Sequence, residues 1–163
     1  MRQKYKELRF RKAAERILSE NPEFPGKITL LHSDGSPELP LYSKPLSYFL
    51  VAALPKFEAT FLISPDSVPE RPQLHLLYFE HTDSDTTMKI MNEAYDHGVH
   101  VENPLVNYLA IGPRDSVKLE LDDSVQRDYL SKICIDGSVV LMKGKQRSIT
   151  FGNSKRKGLK FVS

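Results

Sequence analysis

Cysteine is nearly absent from this 163-residue chain, and the single Cys134 excludes both an intramolecular disulfide and a zinc site built from cysteines. Long apolar runs are also missing. The longest, residues 48–54, is far shorter than the roughly 20 residues that a membrane-spanning helix needs. The first 20 residues have no central apolar segment of the kind that a secretory signal contains. We therefore predict a reducing setting, cytoplasmic or nuclear, and no membrane partner.

Clustered glycines are missing as well. The eight glycines are scattered singly, so the chain contains neither a phosphate-binding glycine loop nor a Gly-x-Ser-x-Gly nucleophile elbow. Cys134 stands between Ile133 and Ile135, which is typical of a small buried apolar residue and not of a nucleophile. The sequence shows no catalytic constellation and predicts no cofactor. These absences favour a non-catalytic protein and leave enzymatic activity open.

Charge is distributed unevenly along the chain, although the net charge is only +2. Residues 1–20 carry seven Lys/Arg and three Glu, and residues 137–163 carry seven Lys/Arg and no acidic residue. Residues 21–136 carry the remaining 9 basic and 18 acidic residues. The chain therefore has two basic ends and an acidic middle, a pattern typical of proteins that bind polyanions.

The hydrophobic pattern predicts an α+β fold with a mixed or antiparallel sheet, three to four helices and a C-terminal segment rich in strands. The predicted helices cover residues 2–19, 43–54, 82–97 and 122–133, and the predicted strands cover 27–31, 57–63, 74–80, 105–111, 117–121, 138–142, 147–151 and 159–162. Strands 105–111 and 117–121 are expected to form a hairpin. We predict a single domain over residues 1–163, with a sub-boundary near 134–137 where the charge changes sign.

The first predicted function is the binding of a polyanion, RNA or DNA, by the two basic ends. Lysine and arginine gain affinity for phosphate backbones through counterion release, which weakens as salt is added. Tyr5 and Phe151 would stack on bases if they were exposed. The alternatives for the same charges are a solvated surface, or basic ends that close onto the acidic middle. The predicted nucleic-acid-binding residues are Arg9, Lys12, Arg16, Lys143, Lys145, Arg147, Lys155, Arg156, Lys157 and Lys160.

The second predicted function is that of a protein-interaction subunit in a larger complex. The proline-containing loops 37–45 and 65–72, the acidic middle and the final strands would then form the docking surfaces. A basic strand at the edge of a sheet would also be able to extend the sheet of a partner. Nucleic acid and protein are thus both open as partner classes.

Two histidine-containing segments are candidates for enzymatic chemistry. His81, Asp83 and Asp85 lie between a strand end and a helix start, where they would bind a hard cation or transfer protons. The alternative, which the sequence favours, is that the aspartates cap the helix N-terminus. In the second segment, His97 and His100 lack the i, i+4 spacing of helical zinc sites.

The order of elements in residues 59–121 resembles that of the tRNA wybutosine-synthesis methyltransferase family. The resemblance places Phe24 and Gly26-Lys27-Ile28 near that family's signature segment. The Ser-Ser-Cys part of the signature is absent, since Glu23-Phe24-Pro25 stands there, and the family's arginine on the following strand has no counterpart. The resemblance implies an enzyme that acts on a nucleic-acid substrate, like a tRNA-modifying enzyme, and it transfers no catalytic residue to this chain.

Overall fold

The computed structural model describes residues 9–70, 73–122, 128–142, 147–153 and 159–162. Its helical elements are α1 (Arg9–Leu18), α2 (Ser84–Glu93) and two 3₁₀ turns, Val99–Glu102 and Asp128–Ser131. Its strands are β1 (Phe24–Leu31), β2 (Leu39–Tyr42), β3 (Pro45–Ala52), β4 (Lys56–Glu58), β5 (Phe61–Leu62), β6 (His75–Glu80), β7 (Asn107–Ala110), β8 (Ser116–Leu121), β9 (Lys132–Ile135), β10 (Ser138–Leu141), β11 (Ser148–Asn153) and β12 (Leu159–Val162).

Most strands form one antiparallel sheet in the order β12-β11-β8-β1-β3-β6-β7, with β2 also paired to β1. β2 and β3 pair with successive parts of β1, since Ile28 lies opposite Tyr42 and Phe24 lies opposite Leu46. β3 then continues past β1 and pairs with β6. The two hairpins β4–β5 and β9–β10 form separate two-stranded sheets.

Two hydrophobic cores lie on opposite faces of β6, because successive side chains of a strand point to opposite faces. Leu76 and Tyr78 belong to the first core, and Leu77 and Phe79 belong to the second. α2 covers the second core with Ile90 and Ala94. The hairpin β9–β10 is on the other side of the sheet, since Ile133 packs against the first core.

The prediction of an α+β fold with three to four helices was wrong. The described residues are mostly strand and contain two α-helices beside the dominant seven-strand antiparallel path. Residues 43–54, predicted as a helix, contain β3 instead. A segment that is apolar on all sides suits a buried helix, but it equally suits a strand that is covered on both faces.

The predicted hairpin and the last predicted helix were also wrong. The expected hairpin of residues 105–111 and 117–121 does not form, because β7 pairs with β6 while β8 pairs with β1 and β11. The helix predicted over 122–133 gives way to a 3₁₀ turn at Asp128–Ser131 and then to β9; residues 123–127 lie outside the described part. No helix in the described parts of the chain combines the length and apolar character needed to cross a bilayer.

Candidate functional site

The predicted basic residues are only partly covered by the structure. Lys12 and Arg16 are exposed on α1, and Arg147 Nη1 donates a hydrogen bond of 2.9 Å to the carbonyl oxygen of Asp122. Lys143, Lys145, Lys155, Arg156 and Lys157, together with the side chains of Arg9 and Lys160, lie outside the described residues.

Strand pairing shows where the segments that carry these residues are attached. At one end of the sheet, the Leu121 amide donates to the Arg147 carbonyl at 2.8 Å, and the Asp122 amide donates to the Pro25 carbonyl at 3.3 Å. α1 ends near the same end, because β1 begins there. The other end of β11 lies about 17 Å away, at roughly 3.4 Å per residue. The segments 143–146 and 154–158 therefore join β11 at opposite ends.

The ring of Phe151 is buried. The condition for stacking on bases, an exposed ring, is therefore not met. Phe151 packs against Phe49 with ring centroids 5.9 Å apart, and it lies opposite Val117 of the first core. Tyr5 lies outside the described residues. β11 therefore presents no described aromatic side chain to a nucleic acid.

His81 joins the end of α1 to the sheet. Its Nε2 lies 3.3 Å from Asn21 Nδ2 and 3.6 Å from Glu23 Oε1, and its Nδ1 lies 3.5 Å from Ser47 Oγ. Ser47 Oγ in turn accepts the Thr82 amide at 3.0 Å. These contacts hold the α1–β1 connection against the end of β6, which is a structural role for the histidine.

The aspartate at the start of α2 acts as the helix cap that the sequence favoured. Asp83 is the N-cap, and its Oδ1 accepts the Thr86 amide at 2.9 Å while its Oδ2 accepts the Thr86 hydroxyl at 2.7 Å. These hydrogen bonds, first of all that from the Thr86 backbone, lower the pKa of Asp83 below its usual 3.8. Within the residues that the structure describes, no three His, Cys, Asp or Glu side chains are grouped so as to hold a metal ion.

A buried polar network anchors the loop between β5 and β6. His75 Nδ1 lies 3.0 Å from Ser67 Oγ, and Ser67 Oγ lies 2.7 Å from Ser64 Oγ. The Tyr108 hydroxyl reaches Ser64 Oγ at 2.9 Å, and its ring stacks on His75 with centroids 5.3 Å apart. Both serines and the histidine are buried. These hydrogen bonds join the loop to β6 and β7, so the network stabilises the fold.

Replacing Ser67 with alanine is expected to lower the free energy of unfolding by about 1–3 kcal/mol, because the buried His75 Nδ1 would lose its partner. Urea denaturation followed by circular dichroism measures this change. The control is Ser36→Ala at an exposed turn, which should change stability by less than about 0.5 kcal/mol. Equal effects of the two substitutions would show that the network contributes nothing.

His100 is the second buried histidine and lies in the 3₁₀ turn after α2. Its Nε2 lies 3.1 Å from the Ile63 carbonyl oxygen, while its Nδ1 has no hydrogen-bond partner among the described residues. Burial lowers the pKa of His100, against the opposing effects of the Ile63 carbonyl and the Glu93 carboxylate. His97 is exposed and has its backbone in the left-handed region, so the two histidines do not share one environment.

The hairpin β9–β10 presents apolar side chains to solvent. All four residues of β10 are exposed, with Val139 at 66% and Leu141 at 42% of full exposure. Residues opposite each other in a hairpin share a face, so Cys134, paired with Val139, joins these two on the outer face. The inner face carries Ile133, which packs against the first core. Lys132, opposite Leu141, also lies on the outer face, and the apolar part of that face, which consists of Cys134, Val139 and Leu141, is named the hairpin face below.

The interpretation of Cys134 as a buried apolar residue was wrong, since its side chain is exposed. The hairpin itself was missed because residues 122–133 were predicted as a helix. A signal for it was present, since Asp136-Gly137 between two apolar runs is a strong indicator of a two-residue hairpin turn. Both turn residues have positive φ, 46° and 82°, as that turn requires.

Comparison of the chain with known protein families and with curated proteins finds no match. The resemblance to the wybutosine-synthesis methyltransferases gains no support from it. The function proposed below therefore rests on the geometry of this chain alone.

Proposed function

We propose that this chain is a non-catalytic binding domain that docks a partner protein through the hairpin face. The observation that carries the proposal is the exposure of Val139 and Leu141 on a strand that has no buried residue. Other large apolar side chains of the described residues, such as Ile17, Leu54 and Phe57, are exposed one at a time, whereas β10 exposes three in succession. A contiguous apolar surface on a soluble fold is a typical site of protein association.

The size of the surface indicates a modest contribution to binding. Burying a valine or leucine side chain completely stabilises by about 1.5–3 kcal/mol. Val139 and Leu141 are already partly covered, so their burial would supply roughly 2 kcal/mol together. The hairpin packs on the first core through Ile133, so a partner that covers its outer face would add to a contact that already holds it.

Site-specific photo-crosslinking tests the proposal, because Cys134 is the single cysteine of the chain and lies on the hairpin face. A benzophenone maleimide attached to Cys134 is expected to form a defined adduct with a protein in the native cell extract. The matched control carries Cys134→Ser and Lys89→Cys, which moves the label to an exposed position of α2 on the opposite side of the sheet. Identical adducts from both positions, or none from Cys134, would overturn the proposal.

Polyanion binding is a second candidate, and strand pairing supplies the observation that favours it. The end of α1 with exposed Arg16, the exposed Lys27 of β1 and Arg147 before β11 belong to the same end of the sheet. In the sequence, Lys143 and Lys145 precede β11, whereas Lys155, Arg156 and Lys157 follow it, so a short oligonucleotide is expected to contact one group at a time.

A salt series with a single-stranded oligonucleotide tests this second candidate. Each neutralised phosphate contributes a slope of about −0.7 to the plot of log affinity against log salt. Substituting Lys143, Lys145 and Arg147 with glutamine is expected to reduce the slope by about 2. The control substitutes Lys155, Arg156 and Lys157 in the same way. Absence of binding at low salt, or an unchanged slope in both variants, would remove polyanion binding from consideration.

A further inference from the structure

Within the described residues, the outer edge of β10 carries unpaired backbone groups at the two most exposed apolar positions of that strand, Val139 and Leu141. Asp136 and Gly137 form a two-residue turn with positive φ at both residues, so Ile135 and Ser138 form the first hydrogen-bonded pair. Bonded and non-bonded pairs alternate along an antiparallel hairpin. The Met142 amide, which donates to Ser131 at 2.8 Å, fits this alternation.

The alternation directs the backbone groups of Val139 and Leu141 away from β9. Both residues occupy non-bonded pairs, Val139 with Cys134 and Leu141 with Lys132. Within the described residues, β10 pairs with β9 alone. The same two residues therefore offer apolar side chains on the hairpin face and free N–H and C=O groups at the edge.

The area of the surface distinguishes between its occupants. A stable interface buries about 800 Å² on each partner. A strand of four residues is only about 13 Å long, and its hairpin face holds three side chains, so a second copy of the chain would bury too little there. An extended peptide gains main-chain hydrogen bonds at the edge as well as apolar contacts, and so it needs less area.

The charges at the two ends of the hairpin determine which end of a bound peptide would be acidic. Lys132 is exposed beside Leu141 at the base of the hairpin, and Asp136 lies at the tip. Antiparallel pairing is more stable per residue than parallel pairing, and a strand that runs antiparallel to β10 places its N-terminal end at the base. Its acidic residues would therefore precede its apolar ones.

We propose that the partner binds as an extended strand, antiparallel to β10, with acidic residues at its N-terminal end and alternating apolar residues over the hairpin face. This inference rests on the proposed protein-docking function. It adds the chemical class of the partner segment, its direction and the backbone groups of Val139 and Leu141 that receive it.

A synthetic probe tests the inference on the whole purified chain. The probe has two glutamates followed by five residues in which valine and threonine alternate, with blocked ends, and fluorescence anisotropy measures its binding. Reversing the probe so that the glutamates come last should weaken binding about fivefold. This is the change expected from the loss of one hydrogen-bonded contact. Methylating two edge-facing backbone nitrogens of the probe should weaken it about twentyfold, since two hydrogen bonds are lost.

A substitution in the protein supplies the reciprocal test. Val139→Pro removes the outward N–H without touching the ladder to β9, and proline is tolerated on edge strands. It should weaken binding of the probe about fivefold, whereas Val139→Thr keeps the N–H and should reduce binding by less. Circular dichroism verifies that both variants fold; if Val139→Pro does not, the methylated probe gives the same answer.

The outcomes separate the two proposals. Equal binding of the normal, reversed and methylated probes, or no binding, overturns strand addition; a dimer in sedimentation that Val139→Asp dissociates also overturns it, in favour of a second copy. If Cys134 nevertheless crosslinks a specific protein in the extract, the docking function stands without strand addition. If Cys134 crosslinks nothing, the docking function fails whatever the probe does.

Discussion

Replacing Phe79 with alanine is expected to lower the free energy of unfolding by about 3–5 kcal/mol, a loss comparable with much of the stability of a domain of this size. Phe79 is completely buried in the second core, and its ring stacks on Tyr48 with centroids 5.6 Å apart. Ile90 and Ala94 of α2 also belong to this core. The alanine would leave a cavity that a strand held on both sides cannot close.

Chemical denaturation in urea measures the effect of Phe79→Ala. The matched control is Phe57→Ala in β4, since Phe57 is an exposed phenylalanine that keeps 56% of its surface in solvent. The control should lower stability by less than about 1 kcal/mol. A similar loss in both variants would show that β6 is not buried between two cores.

Acidification is expected to destabilise the chain below about pH 6.5, because two buried histidines must remain neutral. Burial lowers the pKa of His75, with the Asp66 carboxylate opposing it, and burial lowers that of His100. In the unfolded chain both would titrate near pH 6.5. The unfolded state therefore binds protons first, and stability is lost as the pH falls from about 6.5 towards the folded pKa values.

The size of this effect has an upper bound of about 1.4 kcal/mol per pH unit for each histidine. Denaturation curves at pH 7.5, 6.5 and 5.5 measure it. His100→Gln should reduce the slope of stability against pH, since a glutamine amide can still donate to the Ile63 carbonyl. Asn92→Gln, at an exposed site without a titratable group, is the control and should leave the slope unchanged. Identical slopes in both variants would contradict the buried, neutral state of His100.

Local signals in the sequence predicted the elements whose identity depends on nearby residues. The first helix, the apolar strand β6 and the capping residue Asp83 were all predicted, and the structure confirms a helix at Arg9–Leu18, the strand and the cap within its described residues. Each of these depends on residues within one or two turns of the chain. Such local features form independently of how the rest of the chain folds.

Features that depend on distant pairing were not predictable in this way. β3 has an apolar pattern that suits a helix equally, and only its place between β1 and β6 makes it a strand. Residues 105–111 and 117–121 were expected to form a hairpin, but Val117 and Leu119 are buried beside Ile28 of β1 instead. Long-range burial decided both cases, and composition carries no information about it.

The features of the candidate site also divide into those that the sequence alone shows and those that require the structure. The count of basic residues in the two ends is a property of the sequence, but the separation of residues 147 and 153 by one extended strand comes from the structure. The exposure of the hairpin face also required the structure, since Cys134 and its neighbours read as core residues in sequence. Three apolar residues in a row carry no indication of which ones face solvent.

The reactivity of Cys134 in its native setting tests the docking of a partner on the hairpin face most directly. The thiol is exposed in the isolated chain, and no other cysteine competes for an alkylating reagent. Alkylation with iodoacetamide, followed by mass spectrometry, should be fast for the purified chain and at least tenfold slower for the chain in gently lysed native cells, recovering the fast rate after dissociation in high salt and mild detergent. Equal rates for the purified and the native chain would mean that nothing covers the hairpin face, and would contradict the proposed function.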